Sequence, residues 1–423
     1  MVRPGAEHSM TLLMPEFSQR ACGDHVFACA HCPIMSRRCK LRQRRLRSGE
    51  LMPSIPLLTT DGDAHACGRA HGQRFAREIA DNVATYLRRF AASGLDRAEA
   101  FVEAETWRKA IATQSPGYAE EMRGIAEGSG QSEQAIALLN ARYELAFTLF
   151  GREATAPLVK TRELLDIGPD GCTTFGLEPT VTDDRHTWLG QNWDWLAGVH
   201  GRTFVLQVRR KEKPSLVCLT EAGIAGGKMG VNECGIGLVE NGLASSHDGR
   251  NPYRKPFHLR CREVLDAETF EQALQPVTDT PRTCSANFVI GAAGGKIVDV
   301  ESSPDHVSYL CPEGGIVTHS NHFLSAGHGE SLLEKISPNT LQRVDRMRHL
   351  LERDRGSLSF AHMRAAATDH LGAPYAICRH PDPAQPEAKR TMTVGAVLID
   401  LEARTMHVAN GPPCSNDYLA FGL

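Results

Sequence analysis

Asp170-Gly-Cys-Thr-Thr174 sits where the chain changes character. Before it, helical periodicity runs from Gly68 through Arg89, over residues 97–114 and over 118–150. After Lys160 come short runs rich in β-branched and aromatic residues: Thr173–Leu177, His186–Leu189, Arg202–Arg209 and Ser215–Thr220. Turn signals at Asp183-Asp184 and Lys211–Pro214 divide them. Farther out, Pro56–Thr60 reads as a strand, and Pro256–Pro276 and Thr340–Arg355 read as helices. Asn287–Ala292 with Lys296–Glu301, and Met392–Leu401 with Thr405–Ala409, read as hairpins. Helices mixed with antiparallel hairpins predict an α+β layered domain, two mostly antiparallel sheets between helix layers, and not a parallel βαβ fold.

On propensity alone Cys172 can be a buried strand residue. Its neighbours suggest more. Glycine at 171 tolerates backbone geometries that let a following thiol reach the Gly171 carbonyl. Strand-like residues begin at once, so a new N-terminus at Cys172 would lie at the end of a rigid sheet. The chemistry is coherent: an N-to-S acyl shift gives a thioester, and water resolves it. The released Cys172 then carries a nucleophile and an α-amine that titrates near ~7.7–8.0, suited to act as its base.

The rest of the chain narrows the choices. It has 423 residues, 41% hydrophobic and 23% charged, with a net charge of −3, so neither a global basic field for nucleic acid nor an acidic excess typical of disorder is present. No apolar run approaches the roughly 18–20 residues of a membrane helix, and the N-terminus lacks the shape of a signal peptide. The expectation is a cytoplasmic protein. Thirteen cysteines, an odd number in a long chain, argue against a disulfide scaffold. Gly223–Gly230 is not a P-loop, because Met229 follows the lysine where Ser or Thr is required. HExxH and GxSxG are absent, so neither a zincin nor an α/β-hydrolase elbow is supported. Residues 1–54 stand apart, with Cys22, Cys29, Cys32 and Cys39 followed by a basic run from Arg37 to Arg47. They read as an extension, disordered or upstream of a true start at Met52. The rival reading makes them a metal- or nucleic-acid-binding module on a catalytically silent scaffold.

Over residues 55–423 the chain resembles the acyl-coenzyme A:6-aminopenicillanate (isopenicillin N) acyltransferase family. The resemblance rests on Gly68-Arg-Ala-His-Gly72, Leu139-Asn-Ala-Arg-Tyr-Glu144, Gly171-Cys-Thr-Thr174, Gly190-Gln-Asn-Trp-Asp-Trp195 and Val231-Asn-Glu-Cys-Gly-Ile-Gly237. His319-Ser-Asn-His-Phe323, Ile377-Cys-Arg-His-Pro-Asp382 and Gly411-Pro-Pro-Cys414 complete it, in this order. It implies the four-layer αββα sandwich of the N-terminal-nucleophile hydrolases. It also implies a single domain over 55–423, self-cleaved between Gly171 and Cys172 into a mostly helical fragment, 55–171, and a catalytic fragment, 172–423, that stay associated.

By the same resemblance Cys172 is the nucleophile, Asp194 holds the free amine, Asn321 is a side-chain oxyanion donor, Asn241 a further one, and Arg390 the arginine near the nucleophile. Each has a plainer reading: a turn acid for Asp194, turn residues for Asn321 and Asn241, a solvated charge for Arg390. The implied substrate is a small N-acyl, β-lactam-like or aminoacyl-amine amide, with acyl-CoA as a possible acyl donor. No cofactor, metal, nucleic acid or membrane partner is expected.

Overall fold

The computed structural model describes residues 55–155 and 171–423. The extension 1–54, with the rival metal- or nucleic-acid-binding reading of its cysteines and arginines, lies outside the described residues.

The N-terminal part is β1 (Leu57–Asp61) followed by α1 (Ala64–Arg74), α2 (Ala76–Ala91), α3 (Arg97–Gln114), α4 (Pro116–Ser129), α5 (Glu133–Asn140) and α6 (Arg142–Thr155). Local chemistry sets these ends. Asp63 caps α1 by accepting from Ala66 N at 2.8 Å, and Asp96 with Glu99 forms a capping box on α3. Helices α1 and α4 pack backbone to backbone. A Cβ at Gly68 or Gly72 would overlap α4 main chain, and one at Gly124 or Gly128 would overlap α1 main chain. Glycine at 68 and 72 is therefore a packing requirement.

The strands that follow are β2 (Thr173–Leu177), β3 (Trp188–Leu196), β4 (Thr203–Arg209), β5 (Leu216–Glu221), β6 (Met229–Asn232) and β7 (Ile236–Gly242). Helices α7 (Phe257–Leu265) and α8 (Phe270–Thr278) lead to β8 (Ala286–Ala292), β9 (Lys296–Ser303), β10 (His306–Leu310) and β11 (Ile316–His319). The chain ends with α9 (Leu333–Ile336), α10 (Asn339–Glu352), α11 (Phe360–Ala367), β12 (Thr391–Asp400), β13 (Thr405–Ala409) and β14 (Tyr418–Gly422).

One sheet has eight strands in the order β1-β4-β5-β6-β7-β8-β9-β10, and the other six in the order β11-β2-β3-β12-β13-β14. Every pairing is antiparallel except β1 with β4. The sheets face each other. Helices α7 and α8 cover the outer face of the larger sheet, and α10 and α11 that of the smaller one. The architecture is the expected αββα sandwich. Because both faces of its sheet are covered, β3 is buried along its whole length and reads as a continuous buried run instead of an alternating one.

The single helix expected over Pro256–Pro276 is two helices. Asp266 ends the first and binds Arg210, Lys213 and Arg262, and Thr269 caps the second by accepting from Gln272 N at 3.2 Å. A charge with three cationic partners is satisfied where the helix stops.

Buried polar contacts join the part before residue 156 to the sheets. Strand β1 supplies an edge of the larger sheet, and Asn140 Nδ2 donates to Gly223 O at 2.9 Å. Tyr143 Oη donates to Ser285 O at 2.7 Å, and Glu144 Oε1 accepts from Phe257 N at 2.7 Å. Arg142 pairs with Glu221 in a fully buried ion pair. His71 Nε2 accepts from Gly223 N at 3.0 Å, and burial pushes its pKa down to about 3, so it serves as a neutral acceptor. The segments Gly68–Gly72 and Leu139–Glu144 thus fasten the helical part to the sandwich.

Candidate active site

Cys172 lies immediately before β2, 1% exposed, with its Sγ 4.0 Å from the Asp194 carbonyl oxygen. Strand β2 pairs with β3, so the residues after Cys172 are clamped against the strand that carries Asp194.

The carbonyls on both sides of the Cys172 nitrogen point at one guanidinium. Arg343 Nη1 donates to Gly171 O at 2.7 Å, to Cys172 O at 2.6 Å and to Thr173 Oγ1 at 2.8 Å. Arg343 stands one turn into α10 and is itself held. Its Nε donates to Asn339 Oδ1 at 3.0 Å, and its Nη2 to Asn321 Oδ1 at 2.8 Å. Because a guanidinium only donates, the Asn321 oxygen must face it. The Asn321 amide hydrogens therefore turn away, and Nδ2 donates to Gly242 O at 3.0 Å. Asn321 is in the cluster, with one amide N–H on Gly242 O and its oxygen on Arg343.

Asp194 is fully buried in β3, opposite Thr393 of β12. A bulge follows Thr393, so the register shifts before Gly395. The Thr393 hydroxyl donates to Asp194 Oδ1 at 2.6 Å and accepts from Arg379 N at 2.9 Å. Asp194 Oδ2 lies 3.3 Å from Arg379 Nε, a charge pair without hydrogen-bond alignment. Burial pushes the Asp194 carboxyl up to about 6, against the opposing pull of Arg379, Arg343 and the Thr393 hydrogen bond.

Arg379 is locked elsewhere as well, donating to Thr391 Oγ1 at 3.2 Å and Asn339 Oδ1 at 3.0 Å. Asn339 thus bridges the two arginines. A Cβ on Gly171 would overlap the Arg379 guanidinium. Close approach of this cation to the chain is one physical reason for glycine at 171.

The arginines beside Cys172 and Asp194 are Arg343 and Arg379, and Arg390 lies away from both. Arg390 donates to Gln385 O at 2.9 Å and Pro383 O at 3.2 Å and touches none of Cys172, Asp194 or Asn321. The difference is one of strand position: Arg390 precedes β12 and shapes the 383–390 loop, while Arg379 pairs through Thr393 with the strand carrying Asp194.

Asn241 lies inside β7, not in a turn. Its Nδ2 donates to Thr174 Oγ1 at 2.7 Å and to Asn287 Oδ1 at 2.8 Å. Its amide is therefore committed two residues past Cys172, toward the facing sheet.

Two nearby histidines are committed too. His319 is held by Glu301 at 2.9 Å and by Ser320 O at 2.8 Å. His322 meets Thr340 Oγ1 at 3.0 Å, with its pKa pushed down to about 4, mainly by burial. Neither has Cys172 among its partners.

Sequence reading missed Arg343, Arg379, Asn339 and Thr393. A signal existed for Arg343. It shares the buried face of α10 with Thr340, Val344, Met347 and Leu351, so it is a charge on an apolar stripe. Arg379 stood within the quoted Ile377–Asp382 segment without a role. A cavity of about 500 Å³ lies beyond β7, lined by Trp107, Glu144, Phe147 and Asp248 among others. Cys172, Asp194 and Asn321 do not line it.

A family model described as acyl-coenzyme A:6-aminopenicillanic acid acyl-transferase matches residues 181–414, more than half of the chain. The chain is 29% identical over 306 residues to the acyl-coenzyme A:6-aminopenicillanic-acid-acyltransferase 40 kDa form of Emericella nidulans, covering 71% of this chain and 77% of the relative. Among solved structures it is similar to a conjugated bile acid hydrolase mutant from Clostridium perfringens, at 14% identity and TM-score 0.43, over 60% of this chain and 92% of that one. Penicillin V acylase from Agrobacterium tumefaciens matches at 14% identity and TM-score 0.43, over 60% and 86% of the two chains.

Proposed function

Because this chain belongs to the acyl-coenzyme A:6-aminopenicillanic acid acyl-transferase family, we propose that it is an autoprocessing cysteine amidohydrolase or acyltransferase that works through an acyl-thioester on Cys172. The observation that carries this reading is Arg343 Nη1 at 2.7 Å from Gly171 O, on the peptide bond to be cut. Attack of the Cys172 sulfur on the Gly171 carbonyl carbon puts negative charge on that oxygen, where a buried cation already donates a hydrogen bond. The C–N bond then breaks and the Cys172 nitrogen takes the thiol proton. Water cleaves the resulting thioester, releasing a Gly171 carboxylate and restoring the thiol beside a free α-amine.

In turnover that amine takes the thiol proton as sulfur attacks the substrate amide carbonyl, then passes it to the leaving amine. Arg343 and Arg379 disfavour an ammonium there and Asp194 favours one, so the three together poise the base. Water or an acceptor amine resolves the acyl-thioester. The substrate class is a small N-acyl, β-lactam-like or aminoacyl-amine amide, with acyl-CoA as a possible donor and no cofactor. The reading includes a cytoplasmic setting, which the free thiols at Cys67, Cys218 and Cys261 suit. No helix among the described residues is long and apolar enough to cross a membrane.

The two fragments are expected to stay together, since strand β1 and the buried Asn140, Arg142, Tyr143 and Glu144 contacts all cross the cut. The test is intact mass under native and denaturing conditions. The expected result is one native particle that separates on denaturation into a fragment ending at Gly171 and another running from Cys172 to Leu423. An active sample containing full-length chain alone would overturn the proposal.

The pH dependence follows from Asp194. Its carboxyl sits at about 6, above the ordinary 3.8, so ionising it costs folding stability, and that loss accrues as pH rises from 3.8 to about 6. Function needs the ionised form to hold the amine. Turnover by the cleaved protein should therefore rise with pH through about 6. In Asp194→Asn that limb should vanish from a pH–rate profile at reduced activity. An unchanged limb in the variant would assign the ionisation to another group.

A further inference from the structure

We propose that His370, Cys378, His380 and Cys414 form a structural zinc site that fixes Arg379. The sequence alone leads to no metal expectation for these residues. The fold brings them together from the loop after α11 and the loop after β13. One ligand atom from each of the four lies within 4.8 Å of every other.

The separations at His380 Nε2 are close to those of tetrahedral coordination. Zinc bonds of about 2.0–2.1 Å to nitrogen and 2.3 Å to sulfur put neighbouring ligand atoms about 3.3–3.8 Å apart. His370 Nε2 lies 3.1 Å from His380 Nε2, Cys414 Sγ 3.3 Å and Cys378 Sγ 3.8 Å from the same nitrogen. Hydrogen bonding alone does not account for this. His380 Nε2 carries either one proton or one lone pair, yet three ligand atoms converge on it. A cation bound by that lone pair engages all four groups at once. Two thiolates and two imidazoles in a tetrahedron select zinc, and four protein ligands leave no open position for a substrate, so the role is structural.

The consequence lies between two of the ligands. Arg379 stands between Cys378 and His380, and its guanidinium faces Asp194, Thr391 and Asn339. Coordination on both sides pins the backbone that aims it. Cys414 ties the same loop to the end of β13, so the pin is anchored in the smaller sheet. The proposal stands on this geometry and is independent of which residue is the nucleophile.

The full-length protein is produced with added zinc, desalted and assayed for metal by mass spectrometry, beside Cys414→Ser and His370→Ala. Both altered side chains are exposed, so folding should survive, which circular dichroism checks. Each variant should hold about one zinc fewer per chain than the native protein. Taking the difference keeps any metal on the N-terminal cysteines out of the comparison. Cobalt loading should give the visible bands and thiolate charge transfer of a tetrahedral site in the native protein, and Cys414→Ser should lose them. Zinc content equal in all three proteins overturns the site. So does a non-reducing mass showing Cys378 and Cys414 joined as a disulfide.

Discussion

Replacing Cys172 with alanine should leave an uncut chain that turns over no amide, a loss of every catalytic cycle and not a fractional one. The sulfur is both the group that cuts the chain and the group that carries the acyl intermediate. Without the cut, residue 172 keeps a peptide nitrogen, so the base is lost as well. The variant should still fold. Cys172 is 1% exposed, and replacing its thiol by hydrogen removes one buried heavy atom, a cost of about 1 kcal/mol. Cys172→Ser keeps a nucleophile that is much weaker at neutral pH, so slow cutting with little turnover is expected. The readouts are the denatured mass, the melting curve and amide turnover. A folded Cys172→Ala protein that still splits after Gly171 would move the chemistry to another group.

How far the sequence reaches can be judged residue by residue. The layered fold was legible because its elements carry local signals: helical spacing over 97–114 became α3 with those bounds, and Thr173–Leu177 became β2. Strands β6, β7 and β11 were not named, being short, glycine-containing or buried on both faces, which removes alternation. In the site, Cys172, Asp194 and Asn321 do lie in one cluster, but the role imagined for Asn321 depended on where its amide points. Only the facing partner decides that, and Arg343 forces the oxygen inward. The resemblance implies Arg390, whereas the structure sets Arg379 against Asp194, through a cross-strand threonine and a bulge. Side-chain direction across a sheet is set by register, which a sequence without partners does not contain. The zinc ligands illustrate the same limit, with Cys414 reaching its three partners only through the β13 connection.

Arg343→Ala should slow conversion of precursor to fragments by about two to three orders of magnitude, the usual effect of removing one donor from a developing oxyanion. Arg343 Nη1 serves Gly171 O, Cys172 O and Thr173 Oγ1 together, while Nε and Nη2 tie the fork to Asn339 and Asn321. A guanidinium presents its donors in a rigid fork, so Nη1 can serve its three acceptors, sharing one of its two hydrogens, while Nε and Nη2 hold the side anchors. Lysine brings a single ammonium and cannot keep the side anchors. Arg343→Lys should therefore fold, retain the charge and still cut slowly, which separates aim from charge. Asn321→Ala removes one anchor of the fork and should cost less than Arg343→Ala. Arg390→Ala, whose side chain serves the 383–390 loop, should cut at the native rate. Time-resolved denatured mass spectra on freshly expressed chains supply all four rates, with melting curves to confirm folding. Native-rate cutting by folded Arg343→Ala and Arg343→Lys would remove Arg343 from the cleavage step, and slow cutting by Arg390→Ala would return that residue to the site.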